Sequence, residues 1–90
     1  MNRLYYTYIV RCKDGTYYTG FAVDVEKRVA VHNKKQGAKY TKPRTPVTLV
    51  YTEEFSTKSE ALKREAAIKK LTRKQKEALI KKGESCKEKR

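Results

Sequence analysis

The sequence predicts an α+β domain: a small three-stranded antiparallel sheet flanked by helices, in the order ββαβαα. Three observations carry that expectation. Two short stretches of β-branched and aromatic residues are separated by an Asp-Gly step, the signature of a hairpin. A third such stretch stands alone further along the chain. Two capping-box patterns then follow in succession, and each of them opens a helix. The 90 residues, 38% hydrophobic with seven tyrosines and no tryptophan, provide for one modest core and leave no room for a second domain.

The elements follow in chain order. Residues 5–12, YYTYIVRC, suit a strand, and Lys13-Asp14-Gly15-Thr16 turns the chain so that residues 17–21, YYTGF, return beside it. Asp24 is placed to N-cap a helix over 25–36, with Gly37 as its stop. Residues 38–46, AKYTKPRTP, read as a basic loop, and 47–55, VTLVYTEEF, as a third strand with Val47, Leu49 and Tyr51 on one face. Thr57 with Glu60 opens a second helix that runs to about Leu71. Thr72 with Gln75 opens a third, which Gly83 is expected to end near Lys82. Residues 1–83 thus form the domain, and 84–90 are read as a charged, flexible tail.

Charge narrows the function. Twenty-three Lys and Arg face ten Asp and Glu, a net of +13. The excess is +5 over residues 1–60 and +8 over residues 61–90. That exceeds what solubility requires and points to a polyanion, nucleic acid before an anionic membrane surface. The mean hydropathy of -0.91 and the lack of a long apolar run argue against a membrane span. No apolar stretch follows Met1-Asn2-Arg3, so no secretory leader is expected. Cys12 and Cys86 are too few for a disulfide framework or a zinc site, which suits a reducing, cytoplasmic setting. Phosphate-cradling glycine loops, serine elbows, cysteine pairs and histidine cages are all missing. Glu53 and Glu54 are adjacent, so a strand sends them to opposite faces and they make a poor carboxylate pair.

Some polar residues fall where helical and strand periodicity would put apolar ones. Glu65 shares a stripe with Ala61, Leu62 and Ile68, which turns a carboxylate toward the sheet. It is either a rim residue paired with a nearby Lys or Arg, or a group meant for a cation, metal or cleft. Arg28 and His32 lie four apart beside the Val25/Val29 stripe; Arg28 could equally pair with Asp24, and His32 could be a hydrogen-bonded rim residue. Tyr6, Tyr8 and Val10 share one face of the first strand, and Tyr18 and Gly20 share one of the second. Tyrosines there usually pack. Gly20 reads either as a bend or as room for a substrate backbone.

Taken together, these residues resemble the GIY-YIG nuclease superfamily, in its branch of small, single-domain bacterial proteins. Tyr6-Thr7-Tyr8 stands in place of the first motif and Tyr18-Thr19-Gly20 in place of the second. Arg28 then follows Gly20 by eight, His32 follows Arg28 by four, and Glu65 lies in a later helix. The segments Gly37-Ala38-Lys39-Tyr40-Thr41 and Lys70-Leu71-Thr72-Arg73-Lys74-Gln75-Lys76 are similar to stretches of that branch, and the resemblance spans about residues 4–80. The chain departs from the family in three places. The first motif keeps its Tyr without its Gly, Thr19 replaces an Ile, and the later Asn of some members is missing, the only asparagines being Asn2 and Asn33.

The resemblance implies hydrolysis of DNA phosphodiester bonds with one divalent metal, Mg²⁺, held by Glu65. It further implies Arg28 on the scissile phosphate, Tyr8 as general base, Tyr18 orienting water or phosphate, and His32 assisting Tyr8. Gly20, Lys39, Lys42 and Arg44 would then meet the nucleic-acid backbone without reading sequence. Two other readings stay open: a nucleic-acid-binding module without turnover, and a nuclease subunit active only with a protein partner.

Overall fold

The structure is a computed structural model that describes residues 4–36, 39 and 41–88, with side chains described as far as Lys82. Its elements are β1 (Tyr5–Arg11), β2 (Tyr17–Ala22), α1 (Val25–Asn33), a 3₁₀ turn (Lys42–Arg44), β3 (Thr48–Phe55), α2 (Lys58–Lys69) and α3 (Arg73–Glu88). The sheet is antiparallel with strand order β2-β1-β3, so β1 lies in the centre. The predicted class and element order hold.

A central strand must satisfy both of its faces. Thr7, Tyr8, Ile9 and Val10 are all buried, and they alternate between two cores. Tyr8 and Val10 pack with Cys12, Ala22, Val25 and Val47 on the α1 side. Ile9 packs with Ile68 and Ile80 on the side of α2 and α3. Thr7 faces α2 as well, where its hydroxyl donates to the Ala61 carbonyl at 2.6 Å. Burial lifts the Cys12 thiol above its ordinary range, so it stays protonated.

The hairpin turn forms as its residues require. Gly15 takes φ +85°, Asp14 accepts from the Thr16 amide and hydroxyl, and those bonds lower its carboxyl pKa. The Arg44 guanidinium donates to Asp14 at 3.0 Å, and the Lys13 amide donates to the Arg44 carbonyl at 2.8 Å. The loop after α1 is thereby stapled to the hairpin. Asn33 secures its other end, accepting from the Val47 amide at 2.6 Å and donating to the Val47 carbonyl at 3.2 Å.

Four details differ from the sequence expectations. First, α1 ends at Asn33 rather than near residue 36. Lys35 takes the left-handed conformation (φ 63°), its amide donates to His32 and that of Gln36 to Val31, which completes a Schellman cap. Gly37, the expected stop, lies outside the described residues. Second, α3 runs on through Gly83 to Glu88, where a tail was expected to begin. One glycine costs a helix only about 1 kcal/mol, and Glu84, Lys87 and Glu88 are strong helix formers. Third, a bulge between Ile9 and Val10 shifts the β1–β3 register, pairing Ile9 with Tyr51 but Val10 with Leu49. Val47 and Leu49 therefore stay on the α1 side, while Tyr51 turns to the α2/α3 side. Fourth, Leu62 is exposed, so the inward stripe of α2 is Ala61, Arg64, Glu65 and Ile68.

The caps form as the sequence predicts. Asp24 accepts from the Lys27 amide, Thr57 from that of Glu60, and Thr72 and Gln75 bond reciprocally. Across the sheet, Glu53 and Glu54 do point to opposite faces. Glu53 faces α2, where it accepts from the Arg64 guanidinium and the Tyr51 hydroxyl. Burial, then the Glu53 bond, pushes the Tyr51 phenol up to about 12. Among the described residues, no helix is long and apolar enough to cross a membrane.

Thr19 carries a polar atom in the wrong surroundings. It faces the α2/α3 side opposite Ile9, is 2% exposed, and its buried hydroxyl has no hydrogen-bond partner. Thr19→Val keeps the shape and removes that group, and is expected to raise unfolding stability by about 1 kcal/mol. Chemical denaturation checks this: an unchanged or lower midpoint would mean the hydroxyl is satisfied in solution.

Candidate functional site

The site begins with a cross-strand pair. Tyr8 of β1 sits directly opposite Gly20 of β2. A Cβ at Gly20 would come within 2.5 Å of the Tyr8 hydroxyl and 2.6 Å of its ring. The phenol thus lies in the space a side chain would have filled, and neither earlier reading of Gly20, bend or substrate room, describes its role. Beside it on the same face stands Tyr18, opposite Val10.

Helix α1 then supplies a base and a cation. Val25, Arg28, Val29 and His32 follow helical spacing along its inward side, and His32 is fully buried rather than at the rim. Its Nε2 is 2.9 Å from the Tyr8 hydroxyl and its Nδ1 is 2.8 Å from the Thr41 hydroxyl. Tyr18 meets the imidazole edge-on, with ring centroids 5.4 Å apart. Asp24 is occupied in capping the helix, and the Arg28 charge acts instead on the Tyr8 phenol and the His32 ring.

These neighbours set the proton affinities. Burial pushes the Tyr8 phenol above its ordinary value; the Arg28 hydrogen bond and charge oppose that rise, and Tyr18 and Glu65 add to it. His32 is lowered, by burial first and by the Arg28 charge second. The imidazole is therefore neutral near pH 7, between two hydroxyls.

Glu65 approaches from the opposite side. It belongs to α2, packed on the other face of the sheet, yet its charge is felt at the Tyr8 phenol. Its Oε2 pairs with Lys69 at 3.2 Å, and its side chain is 18% exposed against 52% for Lys69. The first sequence reading of Glu65 is met, since it has a lysine partner; its charge is also part of the electrostatic neighbourhood of the phenol. The second oxygen, Oε1, has no protein partner among the described residues. One hard carboxylate oxygen fits an Mg²⁺-like ion that keeps most of its waters and takes other oxygens from a substrate. Among the described residues no group of three His, Cys, Asp or Glu could form a complete protein cage.

The basic residues of the loop lie further out. Lys39 and Lys42 are exposed, and Arg44 is half-buried and tied to Asp14. Sequence reasoning missed Thr41, fully buried and bonded to His32 across nine positions. No periodicity marks a threonine inside a Lys- and Pro-rich loop. An open cavity of about 520 Å³ lies elsewhere on the α1 side, lined by Tyr6, Leu49 and the start of α1, with Asp24 and Glu26 among its lining residues.

Two outcomes follow. Gly20→Ala drives a methyl into the Tyr8 ring, and is expected to lower stability by about 1–3 kcal/mol while displacing the phenol from His32. A fold and midpoint like the wild type's would refute the close packing. Because His32 is held neutral, the unfolded chain binds a proton below about pH 6.5 that the folded protein refuses. Stability is therefore expected to fall as pH drops from 7.5 to 5.5, and to fall less in His32→Gln; urea titrations across that range measure it.

Residues 4–78 match the model of the GIY-YIG catalytic domain. A UPF0213 protein of Halobacterium salinarum is 59% identical over 77 residues, covering 86% of this chain and all of the relative. One from Staphylococcus saprophyticus is 62% identical over 79 residues, covering 88% of this chain and 96% of the relative. Among solved structures, a solution structure of a UPF0213 protein from Bacillus halodurans aligns with a TM-score of 0.58 at 46% identity, over 89% of this chain and 86% of its own. The solution structure of the protein EF2693 from E. faecalis gives a TM-score of 0.60 at 48% identity, over 88% of this chain and 84% of its own. With its two tyrosine motifs side by side on the hairpin and relatives this similar over most of their length, the chain belongs to the GIY-YIG nuclease superfamily, beside the small single-domain UPF0213 proteins.

Proposed function

We propose that this protein is a metal-dependent DNA endonuclease that hydrolyses phosphodiester bonds at the Tyr8 site. The observation that supports it is convergence: a phenol and an imidazole in hydrogen-bond contact, with the Arg28 and Glu65 charges both acting on the phenol. A buried packing tyrosine needs one hydrogen-bond partner at its hydroxyl, and neither a cation nor a carboxylate beside it. The +13 charge fits a phosphate backbone as substrate.

The residues divide the work as follows. A phenol raised by burial is not a free phenolate at neutral pH, so Tyr8 acts as a relay. Its oxygen takes a proton from the attacking water while its own proton passes to His32 Nε2, which is neutral and able to receive it. Arg28 holds the scissile phosphate and offsets the charge that builds on it. Tyr18, fixed against the His32 ring, orients water or phosphate. Glu65 would hold the divalent ion, Mg²⁺, which would supply Lewis-acid stabilisation of the charge developing on the phosphate and its leaving oxygen. Lys39, Lys42 and Arg44 meet flanking phosphates.

The near-complete burial of Tyr8, 1% exposed, favours one variant of this reading. The water must be admitted to the phenol when DNA binds, and a protein partner that bends or opens DNA would assist that.

The test is cleavage of nicked, flapped and branched DNA with Mg²⁺ or Mn²⁺. Glu65→Gln and Arg28→Ala are each expected to lower kcat by at least about 10²-fold, with the fold retained. Wild-type cleavage that survives both changes would place the chemistry elsewhere. Salt-sensitive binding without cleavage under any metal, unchanged or tightened in Glu65→Gln, would leave a binding module.

A further inference from the structure

The histidine at this site has two tautomers, and only one of them leaves Nε2 able to accept a proton from Tyr8. The surrounding donors and acceptors decide between them. Tyr8 has one proton to give. Among the described residues its hydroxyl has one hydrogen-bond partner, His32 Nε2 at 2.9 Å, and the other group acting on it is the Arg28 guanidinium. A guanidinium only donates. The phenolic proton must therefore go to Nε2, for otherwise it would be orphaned at a residue 1% exposed. If Nε2 accepts, the neutral ring carries its hydrogen on Nδ1, and that hydrogen points at the Thr41 hydroxyl 2.8 Å away.

We propose that Thr41 is the positioning residue of this site. Its hydroxyl accepts the Nδ1 proton of His32, fixes the Nδ1–H tautomer, and so turns the Nε2 lone pair onto Tyr8. The threonine is well held for the task. It is fully buried, and its carbonyl accepts from the Arg44 amide at 2.9 Å. The loop around it is stapled at Lys13–Arg44 and clasped at Asn33–Val47. A hydroxyl on a freely moving loop would not choose a tautomer, whereas one braced on both sides does. Any catalytic consequence of this arrangement rests on the nuclease reading above; the tautomer assignment does not.

His32 is the only histidine in the chain, so its ring nitrogens can be read without ambiguity. In uniformly ¹⁵N-labelled protein near pH 7.5, two-bond ¹H–¹⁵N correlation is expected to show Nδ1 protonated and Nε2 unprotonated. Thr41→Val is expected to shift the ring toward the Nε2–H tautomer, and Thr41→Ser to restore the wild-type pattern, with backbone spectra reporting an unchanged fold. In the cleavage assay Thr41→Val should lower kcat on the order of tenfold with KM unchanged, and Thr41→Ser should recover it. An Nε2–H tautomer in the wild type, or a ring pattern in a folded Thr41→Val protein identical to wild type, would overturn the proposal. Wild-type protein with the Nδ1–H tautomer but no cleavage would sustain the Thr41 assignment and remove the nuclease reading alone.

Discussion

The structure turns on one steric fact: the ring of Tyr8 occupies the place of a side chain that Gly20 does not have. A cross-strand neighbour of ordinary size would push that ring aside, and its hydroxyl would lose contact with His32. With the neighbour absent, the phenol lies low over the second strand, packed by Val10, Ala22 and Val25, and its oxygen is delivered to a definite point. Everything polar at the site is arranged around that point. The imidazole comes from the end of α1, the guanidinium from one turn earlier, and the Glu65 charge from the far side of the sheet.

Proton affinity follows from the same packing. Burial alone makes a phenol harder to ionise and an imidazole harder to protonate, and both effects are present. Arg28 reduces the first and adds to the second. The two shifts together keep both groups uncharged at rest, which lets them be buried next to each other at little electrostatic cost. In the reaction proposed above, the phosphate would bring the negative charge that offsets the imidazolium.

Much of this was legible in the chain. Asp-Gly set the hairpin, the caps at Asp24, Thr57 and Thr72 set three helix starts, and the alternation Tyr6-Tyr8-Val10 identified the face on which the site lies. The misplaced carboxylate on the stripe of α2 marked Glu65 as half-buried and in need of a partner, which Lys69 supplies. What escaped was what depends on tertiary geometry. The bulge that redirects Tyr51 leaves no mark in a run of alternating residues, since the pattern reads the same on either side of it. The Lys35 cap replaced a nearby glycine that fitted the usual rule better. Thr41 acquired its role only because a loop folds back over a helix end, and Gly20 only because of what lies across from it.

The clasp between Asn33 and Val47 carries a consequence of its own. An amide side chain that bonds both backbone groups of a residue fourteen positions away behaves as a short piece of strand. It closes the intervening segment into a ring at its base. The entropic cost of lengthening a segment whose ends are already pinned grows only logarithmically, by about 0.6 kcal/mol for each doubling. Residues added within that closed segment would therefore cost little and leave the anchored strand in register, which makes the segment an economical place for such a small domain to acquire a new contour.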